Sequence, residues 1–113
     1  MKIIDSPVPL RDLASMAEGG FGDLVKAVVD VERGIMAVDG ELHSDEEALL
    51  LEDGSEQRHL WGINIYPALE GTGRVEFDSL INVRPSQSNR SRSIVDPEIR
   101  ARIAGIVDTL VIP

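Results

Sequence analysis

Residues 25–38 constrain this chain more than any other stretch. Val25, Ala27, Val29 and Val31 alternate with Lys26, Val28 and Asp30. Alternation at a period of two marks a strand with one face turned inward. Glu32-Arg33-Gly34 supplies a short turn containing glycine, and Ile35-Met36-Ala37-Val38 a second apolar run. Strands joined so closely pair antiparallel as a β-hairpin. A lone hairpin is marginal in water, so the remaining chain must add strands and a layer that covers them.

The flanking segments supply both. Pro9 suits a helix start, and Leu10, Leu13, Ala14 and Ala17 share one face of a helix that Gly19-Gly20 ends. Ser44-Asp45-Glu46-Glu47 reads as a capping box opening a helix that Asp53-Gly54 closes. Trp61, Ile63 and Ile65 alternate with Gly62, Asn64 and Tyr66 as a third strand. Val75, Phe77, Ile81 and Val83 alternate with Glu76, Asp78, Asn82 and Arg84 as a fourth and longest one. Residues 85–95 have no period and read as a loop. Asp96-Pro97-Glu98 then combines a capping carboxylate, a proline at the first helical position and an acid at the positive dipole end. Ile99, Ile103, Ile106 and Leu110 form the stripe of that last helix. The order predicts an α+β two-layer sandwich: an antiparallel sheet of about four strands with helices on one face. Helix at 25–31, or extended chain at 99–110, would contradict it.

The chain has 113 residues, the size of a single domain spanning 1–113, and 42% are hydrophobic, enough for a core. It has no cysteine, which excludes disulfides, thiolate metal sites and a cysteine nucleophile, and suits a reducing, cytoplasmic location. Met1-Lys2-Ile3-Ile4-Asp5 has no apolar leader core, and no apolar run is long enough to cross a membrane. The net charge of −9 argues against nucleic acid and anionic membranes as partners. That charge is uneven. Residues 1–83 carry 6 lysines and arginines against 17 carboxylates, for −11, whereas 84–102 carry 5 arginines against 2 carboxylates, for +3.

Three strings, VKAVVDVERGIMAVDGELHSDEEALLLEDGS, LWGINIYP and INVRPSQSNRSR, resemble a family of short uncharacterised prokaryotic proteins over nearly the whole chain. The resemblance implies a prokaryotic single-domain protein and supplies no catalytic residue.

Candidate sites must therefore come from the residues themselves. The first is the loop holding Arg84, Ser86, Gln87, Asn89, Arg90, Ser91 and Arg92. Guanidinium forks grip carboxylate or phosphate bidentately, and serine, asparagine and glutamine add neutral donors. The competing reading is a solvated loop whose arginines pair with the chain's own surplus acids. The second is the polar face of the last two strands, where alternation places Asn64, Tyr66, Asp78, Asn82 and Arg84 together; an ordinary solvated sheet face reads the same way. The third, Asp39, Glu41 and His43, could ligate a metal. Its acidic neighbours already serve a helix start and its spacing fits no metal motif, so no metal is expected. His59 is a weak general-base lead. Walker, dinucleotide, GxSxG and HExxH patterns are lacking, so no cofactor is expected.

Two function classes remain. One is a binding or regulatory module that recognises an anionic small molecule or an acidic protein segment through residues 84–93. The other is a small enzyme acting on a phosphorylated or carboxylated metabolite, with Asp78 or His43 as acid, base or metal ligand. The sequence sets no oligomeric state, and a homo-oligomer stays open. An enzyme needs a titratable group within reach of the arginine loop, which a binding module does not.

Overall fold

The structure is a computed structural model that describes residues 1–113. Its elements run β1 (Lys2–Ile4), β2 (Val8–Pro9), α1 (Leu10–Gly19), β3 (Val25–Asp30), β4 (Ile35–Val38), α2 (His43–Glu52), β5 (Leu60–Ile65), β6 (Val75–Glu76), α3 (Pro97–Leu110) and β7 (Val111–Ile112). The main sheet is antiparallel with strand order β1-β4-β3-β5-β6, and β2 pairs with β7 as a separate parallel ribbon. The α+β class with an antiparallel sheet is as expected.

The β3–β4 hairpin forms where alternation placed it. Asp30 is buried at its corner, and its Oδ1 accepts from the backbone N–H groups of Glu32 and Arg33 at 2.9 and 3.0 Å. Gly34 adopts φ 68°, a left-handed conformation that a side chain would strain. One face of the sheet presents Val25, Ala27, Val29, Met36, Val38, Trp61, Ile63 and Ile65. Leu13 and Ala17 of α1, and Ile103, Val107 and Leu110 of α3, pack onto it. Helix α2 lies on the opposite face, so the helices do not share one face as expected. There Val28, Ile35, Ala37 and Leu60 form a second apolar patch beneath Leu50 of α2. Val28, an apolar residue among outward positions of β3, is the sequence trace of this second layer.

Helix starts follow two rules. In α3, Asp96 accepts from the Glu98 N–H at 2.8 Å and Pro97 occupies the first turn, as read from the sequence. The capping box at Ser44 does not form. Helix α2 begins one residue earlier, after Leu42, with no side-chain cap, and Ser44 lies inside it. Glu47, the other half of that box, instead turns toward the buried Arg84, 3.6 Å away.

The expected long fourth strand is also not a strand. Only Val75 and Glu76 pair with β5, opposite Ile65 and Asn64. Beyond them the chain turns onto β5 through a short helical turn at Leu80–Asn82, and a side chain replaces the ladder. Asn82 is fully buried; its Nδ2 donates to the Gly62 carbonyl at 2.9 Å and its Oδ1 accepts from the Gly62 N–H at 2.8 Å. One carboxamide thus does for a peptide group of β5 what a neighbouring strand would do. Close approach requires glycine there: a Cβ on Gly62 would sit 2.6 Å from Ser79 Cβ and Oγ.

Asn82→Ala orphans both Gly62 groups and takes one of two donors from the Arg92 carbonyl, which Asn82 Nδ2 reaches at 3.0 Å and the Ser79 N–H at 3.1 Å. Buried unpaired groups cost about 1–3 kcal/mol each. A loss of about 3 kcal/mol or more in urea unfolding, at unchanged m-value, is expected; a loss below about 1 kcal/mol would refute the role given to this side chain.

Candidate functional site

The arginine-rich loop divides into residues that hold the fold and residues that face solvent. Arg84 belongs to the first group, at 8% exposure. Its Nε donates to the Ile81 carbonyl at 2.9 Å, one terminal nitrogen to the Gln57 carbonyl at 3.0 Å, and the other to the Leu60 carbonyl. The guanidinium lies over the Trp61 ring at 4.7 Å, and burial lowers its pKa against the pull of Glu47. Asn89 is equally internal. Its Nδ2 donates to the carbonyls of Asn82, Ser91 and Ser93 at 2.7, 3.1 and 2.8 Å, and its Oδ1 accepts from the Val95 N–H at 3.0 Å. Gln87 ties the loop to the Arg58 carbonyl at 3.0 Å. Ser86, Arg90 and Ser91 face solvent, and Arg90 takes part in no ion pair. Arg92, also exposed, grips Asp78 with Nε at 2.8 Å and a terminal nitrogen at 3.4 Å.

Arg92 and Asp78 mark one end of a polar shelf on the α2 face of the sheet. Helix α2 covers that face at Val28, Ile35, Ala37 and Leu60. Toward the start of β3 the same face carries Lys26, Asn64 and Glu76, directly opposite one another across three strands. Asn64 Nδ2 donates to Glu76 Oε1 at 2.8 Å, and the Tyr66 hydroxyl donates to the same oxygen at 3.2 Å. Burial, and then the Glu76 carboxylate, raise the pKa of that phenol. Because an ionised carboxylate only accepts, the Asn64 amide must present its NH2 to Glu76. Asn64 Oδ1 is therefore left buried with no partner, an arrangement that native interiors rarely tolerate without a reason.

His43 completes the shelf. It is the first residue of α2 and reaches across β5 to place Nε2 2.7 Å from the Ile63 carbonyl. A carbonyl cannot donate, so Nε2 carries the proton and Nδ1 the lone pair. Nδ1 has no partner in the chain. Burial lowers the His43 pKa, the Ile63 bond opposes this, and the charges of Lys26 and Arg92 lower it while Asp78 raises it. The ring is thus neutral at neutral pH, with a free basic nitrogen. The three residues Asp39, Glu41 and His43 do not converge on a metal: His43 is turned to Ile63, and no group of three or more His, Asp or Glu side chains is arranged to hold an ion.

A cavity of about 660 Å³ shares Lys26 with the shelf and is lined further by Met16, Phe21, Asp39, Glu41 and Leu42. The Lys26 ammonium stands 4.9 Å over the Phe21 ring. Beside this cavity Glu46 is fully buried; its Oε2 accepts from the Gly40 N–H at 2.9 Å and its Oε1 is unpartnered. Burial pushes its pKa up to about 9, so it is an uncharged acid at neutral pH. The sequence reads Glu46 as part of a helix-start capping box, whereas in the structure it is turned inward.

The structure thus brings Asn64, Tyr66 and Arg92 together with Lys26, His43, Glu76 and Asp78, and separates them from Arg84, Asn82 and Asn89, which face the interior. Sequence reasoning missed Lys26, the basic residue on an outward position of β3.

Residues 2–110 match the family model for a protein of unknown function, DUF5674, and the chain belongs to that family. No curated protein and no solved structure matches it. No helix is long and apolar enough to cross a membrane.

Two measurements check these assignments. Arg84→Ala removes donors from three carbonyls and strands Glu47, so it should cost about 3 kcal/mol in urea unfolding, whereas Arg90→Ala should stay within about 0.5 kcal/mol. Equal effects would contradict the division of the loop. For Glu46, the folded state holds its proton up to about pH 9 while an unfolded glutamate loses it near 4.5. The fold therefore binds the extra proton between those values, and its stability falls as pH rises through that window. Glu46→Gln should remove that part of the slope and stabilise the protein at pH 8 relative to pH 5. Identical slopes in the two proteins would show that Glu46 is ionised in the fold.

Proposed function

We propose that this protein is a binding module for a small anionic molecule that also carries a hydroxyl or amino group, seated on the shelf of Lys26, His43, Asn64 and Arg92. The unpartnered Oδ1 of Asn64 carries the reading. A buried amide oxygen held in place by its own NH2 group calls for a donor, and a ligand hydroxyl or amine supplies one. Arg92 and Lys26 supply positive charge for the acid. Arg92 reaches Asp78 from an exposed position, so a ligand carboxylate or phosphate can take the place of Asp78 at little cost. From residues 84–93, this reading draws on Arg92, with Arg90, Ser86 and Ser91 at the rim. Arg84 acts only through the fold.

One observation favours a second reading, a small enzyme acting on the same class of ligand. The free Nδ1 of a neutral His43 beside an arginine–aspartate pair has the makings of a general base. It differs from the first reading in one respect: the bound ligand turns over, and His43→Ala would abolish that turnover.

Lactate, serine and glycerol 3-phosphate cover the hydroxy acids, amino acids and phosphate esters this site would accept. At least one should raise the thermal midpoint by mass action, and both Arg92→Gln and Asn64→Ala should erase the rise without lowering the midpoint of the free protein appreciably. A rise that survives both substitutions would place the ligand elsewhere and contradict the proposal.

A further inference from the structure

A groove on the other side of β6 is built differently from the shelf. It lies between the 71–77 segment and α3, encloses about 630 Å³, and includes Val75, Phe77, Ala101 and Ala104 among its lining residues. That volume is in the range of small-molecule pockets. Two arginines enter it, Arg74 from the strand side and Arg100 from the helix. Each is fixed by its Nε. Arg74 Nε donates to the Leu69 carbonyl at 2.7 Å, and Arg100 Nε donates to the Ile94 carbonyl. Arg100 is held twice more: a terminal nitrogen donates to Ser93 Oγ at 2.7 Å, and the guanidinium lies over the Phe77 ring at 4.6 Å.

These contacts hold both side chains while leaving Arg74 both terminal nitrogens and Arg100 one. Neither arginine joins an ion pair, although the chain carries 20 carboxylates. Asp108 also lines the groove, but it forms an ion pair with neither arginine, so guanidinium groups anchored through Nε to carbonyls keep free terminal nitrogens preorganised for an anion from outside. The apolar lining adds a second requirement. Val75 and Phe77 pack on the main core from below, and Ala101 and Ala104 leave room above, so the anion must carry an apolar body.

We propose that the groove between β6 and α3 is a second binding site, which takes a carboxylate attached to an aromatic or aliphatic group. The acid meets the free nitrogens of Arg74 and Arg100, and its apolar body lies along Val75, Phe77 and Ala104. The site is independent of the shelf, which lies on the opposite face of the sheet.

The test is a chemical-shift titration of the full chain with 3-phenylpropionate and, separately, with its neutral amide. Shift changes should centre on Arg74, Val75, Phe77, Arg100 and Ala101, and the acid should bind about tenfold or more tightly than the amide. Arg74→Gln should weaken the acid by a similar factor and leave the amide unchanged. Ala101→Trp, which fills the groove without replacing either arginine, should block both, and it keeps the test open should an arginine variant fold poorly. Equal affinity for acid and amide, indifference to Arg74→Gln and Ala101→Trp, or shifts confined to Asn64, Tyr66 and Arg92 would each overturn the proposal.

Discussion

The free edge of β5 governs this structure. One edge of that strand pairs with β3 along its full length, but the other meets β6 only at Asn64 and Ile65. The peptide groups before that point are buried and still need partners. They find them in side chains. Asn82 closes on Gly62, and Arg84 collects the carbonyls of Gln57, Leu60 and Ile81. A charged group is brought inside to do this, and it is tolerated because its hydrogen bonds are made, Glu47 stands close by, and Trp61 offers its face.

Much else follows from that edge. The loop after Asn82 cannot wander, because Asn89 gathers the carbonyls of Asn82, Ser91 and Ser93 into one buried knot. Glu47 is drawn away from the start of α2 to Arg84, and the helix begins without the cap its sequence advertises. Where β6 does pair, the sheet has two usable sides. The α2 face is left uncovered and polar from Lys26 to Glu76. The α3 face is apolar and flanked by two anchored arginines. A two-residue strand thus separates two surfaces of opposite character, each with guanidinium groups held at its margin.

The sequence was most legible where one signal sufficed. Alternation located β3, β4 and β5, and cap, proline and stripe together located α3. It misled where a side chain replaced the backbone. Val75 to Arg84 alternates like a strand because Phe77 and Ile81 do point toward apolar surroundings, yet Asn82 takes the place of the ladder. No periodicity distinguishes an asparagine facing solvent from one folded onto a peptide. The same ambiguity governed the loop. Its polar composition suggested recognition throughout, and Arg84, Asn82 and Asn89 were grouped with Asn64, Tyr66 and Arg92. Burial separates them, and burial depends on long-range packing against β5 that the local sequence does not encode. A charge asymmetry of this kind identifies where arginines are needed, without saying whether the need is internal or external.

Hydrogen exchange tests the central claim, that part of the polar loop is the missing neighbour of β5 and the rest is surface. The Gly62 N–H, the Asn82 and Asn89 carboxamide protons and the Arg84 guanidinium protons should exchange only through opening of the whole domain, with the free energy of global unfolding. The Nε–H protons of Arg90 and Arg92 should exchange rapidly. Fast exchange at Gly62 and Arg84, at rates matching Arg90, would show that the loop does not close the edge of β5 and would contradict the account.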